Sequence, residues 1–151
     1  EAKLTIEDVP DRPGIAAAIF RAVADEGINV DTIVQNVSKE GLTDVSFTVP
    51  TEDLPHAARV MEGVVGDVGA ARFTTDEAIA KVSLVGAGMK THAGVQADMF
   101  EALAEAGINI EMISTSSIRI TCVIRADDVA AAVKALHARF ALSDEAAIRE
   151  H

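Results

Sequence analysis

The chain has 151 residues, 49% hydrophobic and 25% charged, which is enough for one ordinary domain or two small ones and is not a disordered composition. Its net charge of −11 argues against nucleic acid and against an anionic membrane surface, because both bind clustered Lys and Arg. No apolar run approaches the roughly 20 residues that span a bilayer, and a lone Cys122 excludes a disulfide framework, so we expect a cytoplasmic protein with Cys122 buried.

The first half of the chain predicts six elements from its apolar periodicity and its turn residues. In chain order they are strand 3–9, helix 15–26, strands 30–37 and 42–49, helix 53–65 and strand 70–75. Gly27 ends the first helix and Gly41 lies in the turn between the two middle strands. The order is therefore β-α-β-β-α-β.

The second half predicts the same order with one element missing. Its predicted elements are strand 80–85, helix 95–106, strands 110–115 and 118–125, and helix 127–140. No sixth element is evident. The missing edge strand is expected from the C-terminal tail, from residues before Glu1 or from a partner chain.

An internal repeat explains this similarity. Residues 14–37 align with 94–117 at a constant offset of 80, and the glycines, apolar spacing and Gly-Ile-Asn runs stay in one register. We therefore predict two ferredoxin-like βαββαβ domains of the α+β class, at residues 1–78 and 79–151. Each has an antiparallel sheet with both helices on one face, and covering the other face predicts a homodimer or a heteromer.

The sequence gives little support for a catalytic site or a metal site on this chain. The Gly-Ala-Gly run at 86–88 follows an apolar strand, but a dinucleotide loop needs a third small residue where Thr91 stands, so a flexible turn is the favoured interpretation. None of the four histidines has metal-ligand spacing, although His92 precedes a helix and is a candidate ligand contact. We expect no catalytic residue, no metal and no cofactor on this chain.

The start of the first predicted helix is more informative. Gly14, Ile15 and Ala16 present free backbone N–H groups that suit an α-carboxylate, and Asp11 suits the α-ammonium of the same ligand. The alternative is that Asp11 and Gly14 only form the turn before the helix. Asn29 and Asn109, which both follow Gly-Ile and open a strand, allow the same two interpretations.

Several longer runs resemble the regulatory part of aspartate kinases, a pair of ACT domains that some bacteria make as a separate β subunit. The matching runs are DRPG at 11–14, NVD at 29–31, QNVS at 35–38, KVSLVGAGM at 81–89, NIEMISTS at 109–116 and IRI at 118–120. The resemblance implies feedback inhibition, in which threonine, often with lysine, binds between ACT domains of two chains. It also implies a homodimer and a catalytic aspartate kinase chain or domain as partner.

Site residues follow from this resemblance. The implied threonine site uses Asp11, Gly14, Ile15, Ala16 and Gln35, completed by Asn109 and Ile110 of the partner chain. The pseudo-symmetric site, the candidate for lysine, uses Met89, Thr91, His92, Gly94, Val95 and Ser114, completed by Asn29, Val30 and Asp31 of the partner chain.

The chain departs from the family pattern at two positions. Ser117 stands where the family usually has Glu, and Ala93 stands where it often has Pro. The absence of this Glu removes an anionic partner for the side chain of a lysine ligand. The loop of the implied threonine site, at residues 11–14, keeps the family pattern. A stand-alone ACT-type amino-acid sensor, acting on another enzyme or on a transporter, is the alternative function.

Overall fold

The computed structural model describes residues 1–86 and 94–140, together with the backbone of strand Ala146–Glu150. The chain divides into two compact units, Glu1–Glu77 and Ala78–His151, each with its own four-stranded sheet. Each unit has the element order β-α-β-β-α-β. The expected fold class, two ferredoxin-like domains with antiparallel sheets, is confirmed.

The first unit contains four strands and two α-helices. They are β1 (Ala2–Pro10), α1 (Ile15–Asp25), β2 (Ile33–Gln35), β3 (Leu42–Val49), α2 (Leu54–Val68) and β4 (Arg72–Asp76), with a short 3₁₀ turn at Thr51–Asp53 before α2. The strand order is β2-β3-β1-β4, and every pairing is antiparallel. Strand β2 is shorter than the predicted 30–37.

Both helices of the first unit cover the same face of the sheet. Leu4 and Ile6 of β1 alternate inward, as the period of a half-buried strand requires, and pack in one core with Ile19 of α1 and Met61 of α2. Phe47 of β3 is buried in the same core. The opposite face carries polar residues, so the alternation in β1 fixes which side the helices occupy.

Strand β1 contains a bulge near its end. Its register against β3 shifts between Ile6 and Val9, and Asp8 takes φ 55°, in the left-handed region. The N–H of Asp8 donates to Oδ1 of Asp44 at 3.0 Å. This bend directs the chain into the loop that precedes α1.

The second unit repeats the arrangement. Its elements are β5 (Ile79–Gly86), α3 (Val95–Glu105), β6 (Met112–Thr115), β7 (Arg119–Arg125), a 3₁₀ turn at Ala126–Asp128, α4 (Val129–Phe140) and β8 (Ala146–Glu150). The strand order is β6-β7-β5-β8. Of the three sources expected for the missing edge strand, the C-terminal tail supplies it, because β8 pairs antiparallel with β5.

The core of the second unit forms in the same way as that of the first. Leu84 of β5, Leu103 of α3 and Leu136 of α4 are buried together, with Cys122 of β7 among them. Burial raises the pKa of the Cys122 thiol from 9.0 to about 12, since a thiolate is poorly solvated there. The expectation that Cys122 is a buried core residue is therefore confirmed.

Candidate functional site

Gly14 is the residue just before helix α1, and its backbone has a conformation that only glycine adopts readily. Gly14 has φ 91° and ψ −11° and gives the helix no side-chain cap. Ile15 N–H donates to Arg12 O at 3.3 Å and Ala18 N–H donates to Gly14 O at 3.0 Å. Within the described residues the amides of Ala16 and Ala17 donate no hydrogen bond, so this helix end presents two free donors and the positive end of the helix dipole.

The loop before α1 is held against the β2–β3 turn. The N–H of Asp11 donates to Gly41 O at 2.9 Å, while the Asp11 side chain is exposed. Ile15 adds no free donor, because its side chain is buried in the core and its N–H is bonded to Arg12 O. A carboxylate therefore lies within a few residues of two free N–H groups, an arrangement matched to a zwitterion.

Gln35 lies at the same end of the first sheet. It pairs with Val45, which pairs with Ile6, and residues directly opposite in a ladder share a face. The side chain of Gln35 is therefore on the helix-bearing face. The structure brings Asp11, Gly14, Ala16 and Gln35 to one end of one face of the sheet.

Asn29, Val30 and Asp31 lie at the other end of α1. The helix has 11 residues, which corresponds to a length of about 16 Å. The N–H of Asp31 donates to Thr48 O at 3.1 Å, which fixes the segment beside β3. One unit thus carries two separate groups of predicted site residues, one at each end of its first helix.

The second unit has the equivalent two groups. Gly94 starts α3 with φ 90° and ψ −2°, and Asp98 N–H donates to Gly94 O at 2.8 Å, as Ala18 does to Gly14. Val95 is the first residue of α3. Beyond the far end of α3, Asn109 is exposed and Ile110 packs against the core.

Glu111, which follows Asn109 and Ile110, is fixed in two ways. Its N–H donates to Val123 O at 2.8 Å, the counterpart of the Asp31–Thr48 bond in the first unit. Its Oε2 also accepts a hydrogen bond from Arg125 at 3.3 Å. Glu111 therefore anchors the segment 109–111 to β7.

The strand register shows which face of the second sheet Ser114 and Thr115 occupy. Ser114 pairs with Thr121, which pairs with Ser83, and Ser83 and Thr121 share a hydrogen bond of 2.6 Å on the face away from the helices. Thr115 pairs with Ile120 of the core and is therefore on the helix-bearing face. Thr115, rather than Ser114, is the counterpart of Gln35, and the repeat offset of 80 identifies the same position.

Some predicted residues lie outside the described part of the chain. They are Met89, Thr91 and His92 of the second site, together with Ala93 and most of the Gly-Ala-Gly run. Among the residues that are described, no three His, Cys, Asp or Glu are grouped as metal ligands. No helix within the described ranges is long and apolar enough to cross a membrane.

Comparison with known proteins identifies the class. Residues 4–66 match one ACT-domain family and residues 82–140 match another. The chain is thus a tandem pair of ACT domains. It is 44% identical to a chain in a crystal structure of aspartokinase alpha and beta subunits, covering 93% of each chain with a TM-score of 0.88.

Two further relatives show which part of an aspartokinase this chain matches. The regulatory subunit of aspartate kinase from Thermus thermophilus is 40% identical, with 92% of this chain and 91% of that chain covered and a TM-score of 0.87. The aspartokinase of Mycolicibacterium smegmatis is 47% identical over 152 residues, which cover 98% of this chain and 36% of that protein. This chain belongs to the aspartokinase family and corresponds to its regulatory part. It spans about a third of the length of the curated relatives it matches.

Proposed function

We propose that this chain is the allosteric regulatory part of a cytoplasmic aspartate kinase and that threonine binds at the start of α1, between two copies of the chain. The observation that supports this most directly is the pair of free amides at Ala16 and Ala17, in a helix start that Asp11 precedes by a few residues in the chain. The amides suit the α-carboxylate of the ligand and Asp11 suits its α-ammonium. Gln35 supplies an amide for a polar side chain.

The remaining wall of this site is assigned to a partner copy. Ile33 and Ile113 occupy equivalent positions on the edge strands β2 and β6, on the helix-bearing faces, and both are about half exposed. Pairing β2 of one copy with β6 of another covers both side chains and satisfies the open strand edges. Asn109 and Ile110 of the second copy then lie beside the Asp11 loop of the first.

The second, pseudo-symmetric site is the candidate lysine site. Gly94 and Val95 provide the same helix start, and Asn29, Val30 and Asp31 of the partner provide the opposite wall. We include Thr115 on the basis of its register. Ser117 and Ala93 are the departures from the family pattern, and Ser117 stands where the family's Glu would offer an anionic partner to the side chain of a lysine ligand.

Inhibition follows from differential affinity. A ligand held between two copies stabilises the regulatory dimer, and it inhibits an attached catalytic part only if the inactive arrangement binds it more tightly than the active one. The Thermus thermophilus relative, described as a regulatory subunit of aspartate kinase, supports this role.

Isothermal titration calorimetry with threonine and lysine, alone and together, tests the proposal. Threonine should bind, and Asp11→Ala should weaken it by roughly 1.5–3 kcal/mol, the value of a charge-assisted hydrogen bond. Asp67→Ala is the matched control, because Asp67 is an exposed carboxylate on α2. Equal affinity in both variants would mean that the site is misplaced. Absence of heat with either amino acid would favour the stand-alone sensor acting on another enzyme.

A further inference from the structure

The bulge in β1 places two of its residues opposite the single residue Asp44 of β3. The extra residue explains why Ile6 and Val9, three positions apart, are both buried in the core of the first unit, since an unbroken strand buries residues two apart. The apolar pattern of β1 therefore requires the bulge. The bulge comes directly before the loop 11–14, which begins the proposed threonine site.

Asp8, one of the two residues in the bulge, has a backbone conformation that is unfavourable for a residue with a side chain. Its φ of 55° lies in the left-handed region. Its N–H donates to Oδ1 of the half-buried Asp44 at 3.0 Å, so a carboxylate takes the place of a ladder carbonyl. A hydrogen bond to an ionised acceptor is roughly twice as strong as a neutral one. At the repeat offset of 80 the second half of the chain has Gly88, a residue type that adopts positive φ readily.

The end of β1 has few other bonds to hold it against β3. Pro10 pairs with Leu42 but has no N–H to donate. Beyond Pro10, the N–H of Asp11 donates to Gly41 O at 2.9 Å. The bond from Asp8 to Asp44 therefore fixes the chain just before the proline, and the bond from Asp11 to the turn fixes it just after.

Asp44 is also bonded to the segment that follows Gln35. The backbone O of Asp44 accepts a hydrogen bond from Asn36 N–H at 3.1 Å, and Gln35 pairs with the next residue of β3, Val45. One residue thus contacts both the strand that leads to Asp11, through its side chain, and the strand that carries Gln35, through its backbone.

We propose that Asp44 is a positioning residue for the threonine site. Its carboxylate holds Asp8 in the bulge and thereby fixes the direction in which the loop 11–14 leaves the sheet, relative to Gln35. The inference rests on the proposed function and deepens it, because it identifies what keeps Asp11 in place before a ligand arrives. A loop that is already held in its binding conformation costs less to order on binding, so threonine affinity depends on Asp44.

Hydrogen exchange followed by NMR and calorimetry with threonine, both on the whole chain, test the proposal. Asp44→Ala should speed the exchange of the Asp8 and Asp11 amides and leave that of Leu4, nearer the start of β1, unchanged. It should weaken threonine binding by about tenfold, the factor that corresponds to one hydrogen bond to a charged group. Asp44→Asn should keep both properties near the wild type, because its amide oxygen still accepts a hydrogen bond.

Asp67→Ala is the control, since it removes an exposed carboxylate from α2 and should match the wild type in both measurements. A second test combines Asp8→Gly with Asp44→Ala. Glycine adopts a φ of 55° without help from an acceptor, so this double variant should recover part of the protection of the Asp11 amide. A loss that came only from lower overall stability would not be recovered in this way.

Circular dichroism should show every variant folded. If Asp44→Ala unfolds the chain, Asp44→Val makes the same test, because valine also lacks an acceptor and favours strands. The proposal is overturned if the Asp11 amide exchanges equally slowly in Asp44→Ala and Asp67→Ala, if Asp44→Asn behaves as Asp44→Ala does, or if Asp8→Gly recovers nothing. If the wild type binds no threonine, the proposed function fails, while exchange of the Asp11 amide still decides whether Asp44 fixes the loop.

Discussion

At the scale of single residues, Gly14 and Gly94 have the clearest physical reason for being glycine. Both have φ near +90°, and a Cβ added at either position would meet no atom within 4 Å. The requirement is therefore conformational rather than steric. The same backbone turn also leaves the first helical amides pointing outward, so fold and proposed site depend on one feature.

Gly14→Ala is expected to lower the free energy of unfolding of the first unit by about 1–3 kcal/mol, the usual cost of a non-glycine residue in such a conformation. Gly63→Ala is the matched control. Gly63 is inside α2, where a Cβ also meets nothing, so alanine there should stabilise by roughly 0.5–1 kcal/mol. Urea unfolding followed by circular dichroism measures both, since the chain has no Trp or Tyr for fluorescence. Changes of the same sign would contradict this account.

Cys122 makes a contribution to stability that depends on pH. Its thiol has a pKa of about 12 in the folded chain, against 9.0 for an exposed thiol. Below pH 9 the thiol is protonated in both states; between pH 9 and 12 only the unfolded state loses the proton. The stability of the wild type should therefore fall more steeply over this window than that of Cys122→Ala. Parallel curves from urea unfolding would show that burial of the thiol has no such effect.

At the scale of elements, the long strands and helices follow from the sequence alone, whereas β8 does not. Strand β1 alternates buried and exposed residues, and α1 repeats apolar residues at helical spacing. The tail 146–150 has neither pattern. It forms a strand because β5, between β7 and the tail, would otherwise keep one open edge.

Removing residues 141–151 should therefore destabilise the second unit selectively. The amides of β5 that face β8 should lose hydrogen-exchange protection, while those of β1 and β3 keep theirs. Hydrogen exchange followed by NMR separates the two units residue by residue. If β5 remained as protected as in the whole chain, the pairing of β8 would contribute nothing to stability.

The candidate site shows where sequence reasoning ends. The loop that contains Asp11 and Gly14 is formed by residues close together in the sequence, so its residue types are enough to predict that a helix starts there. Which face Ser114 and Thr115 occupy depends on register, and a one-residue shift moves a side chain to the other face. The repeat offset pairs Gln35 with Thr115, whereas the family resemblance points to Ser114.

At the scale of the whole molecule, the duplication gives each chain two kinds of half-site. The first helix of each unit has a glycine start at one end and an Asn-containing segment beyond the other, so Gly14 and Asn29 lie at opposite ends of α1. A complete site in our proposal takes Asp11 from one chain and Asn109 from another. Effector binding and association are then the same event, which is how a small ligand changes the arrangement of a larger assembly.

Mixing two defective chains tests whether a site is shared. Asp11→Ala and Asn109→Ala should each bind threonine weakly in calorimetry. The first variant lacks the residue on one side of the proposed site, and the second lacks the residue on the opposite side. After subunit exchange, about half of the dimers are mixed, and each mixed dimer has one site with both residues intact. Binding at about a quarter of the sites should therefore return, although neither chain binds well alone.

The control for this experiment mixes Asp11→Ala with a chain that carries both substitutions. No pairing of these two chains restores Asp11, so binding should stay weak, and any recovery would indicate an effect of mixing itself. If the original mixture also fails to recover while wild-type chains bind threonine, then Asp11 and Asn109 belong to one chain's site or to different sites. Recovery in the first mixture alone requires that each threonine be held by two chains, because only then does the Asp11 of the Asn109→Ala chain form one site with the Asn109 of the Asp11→Ala chain.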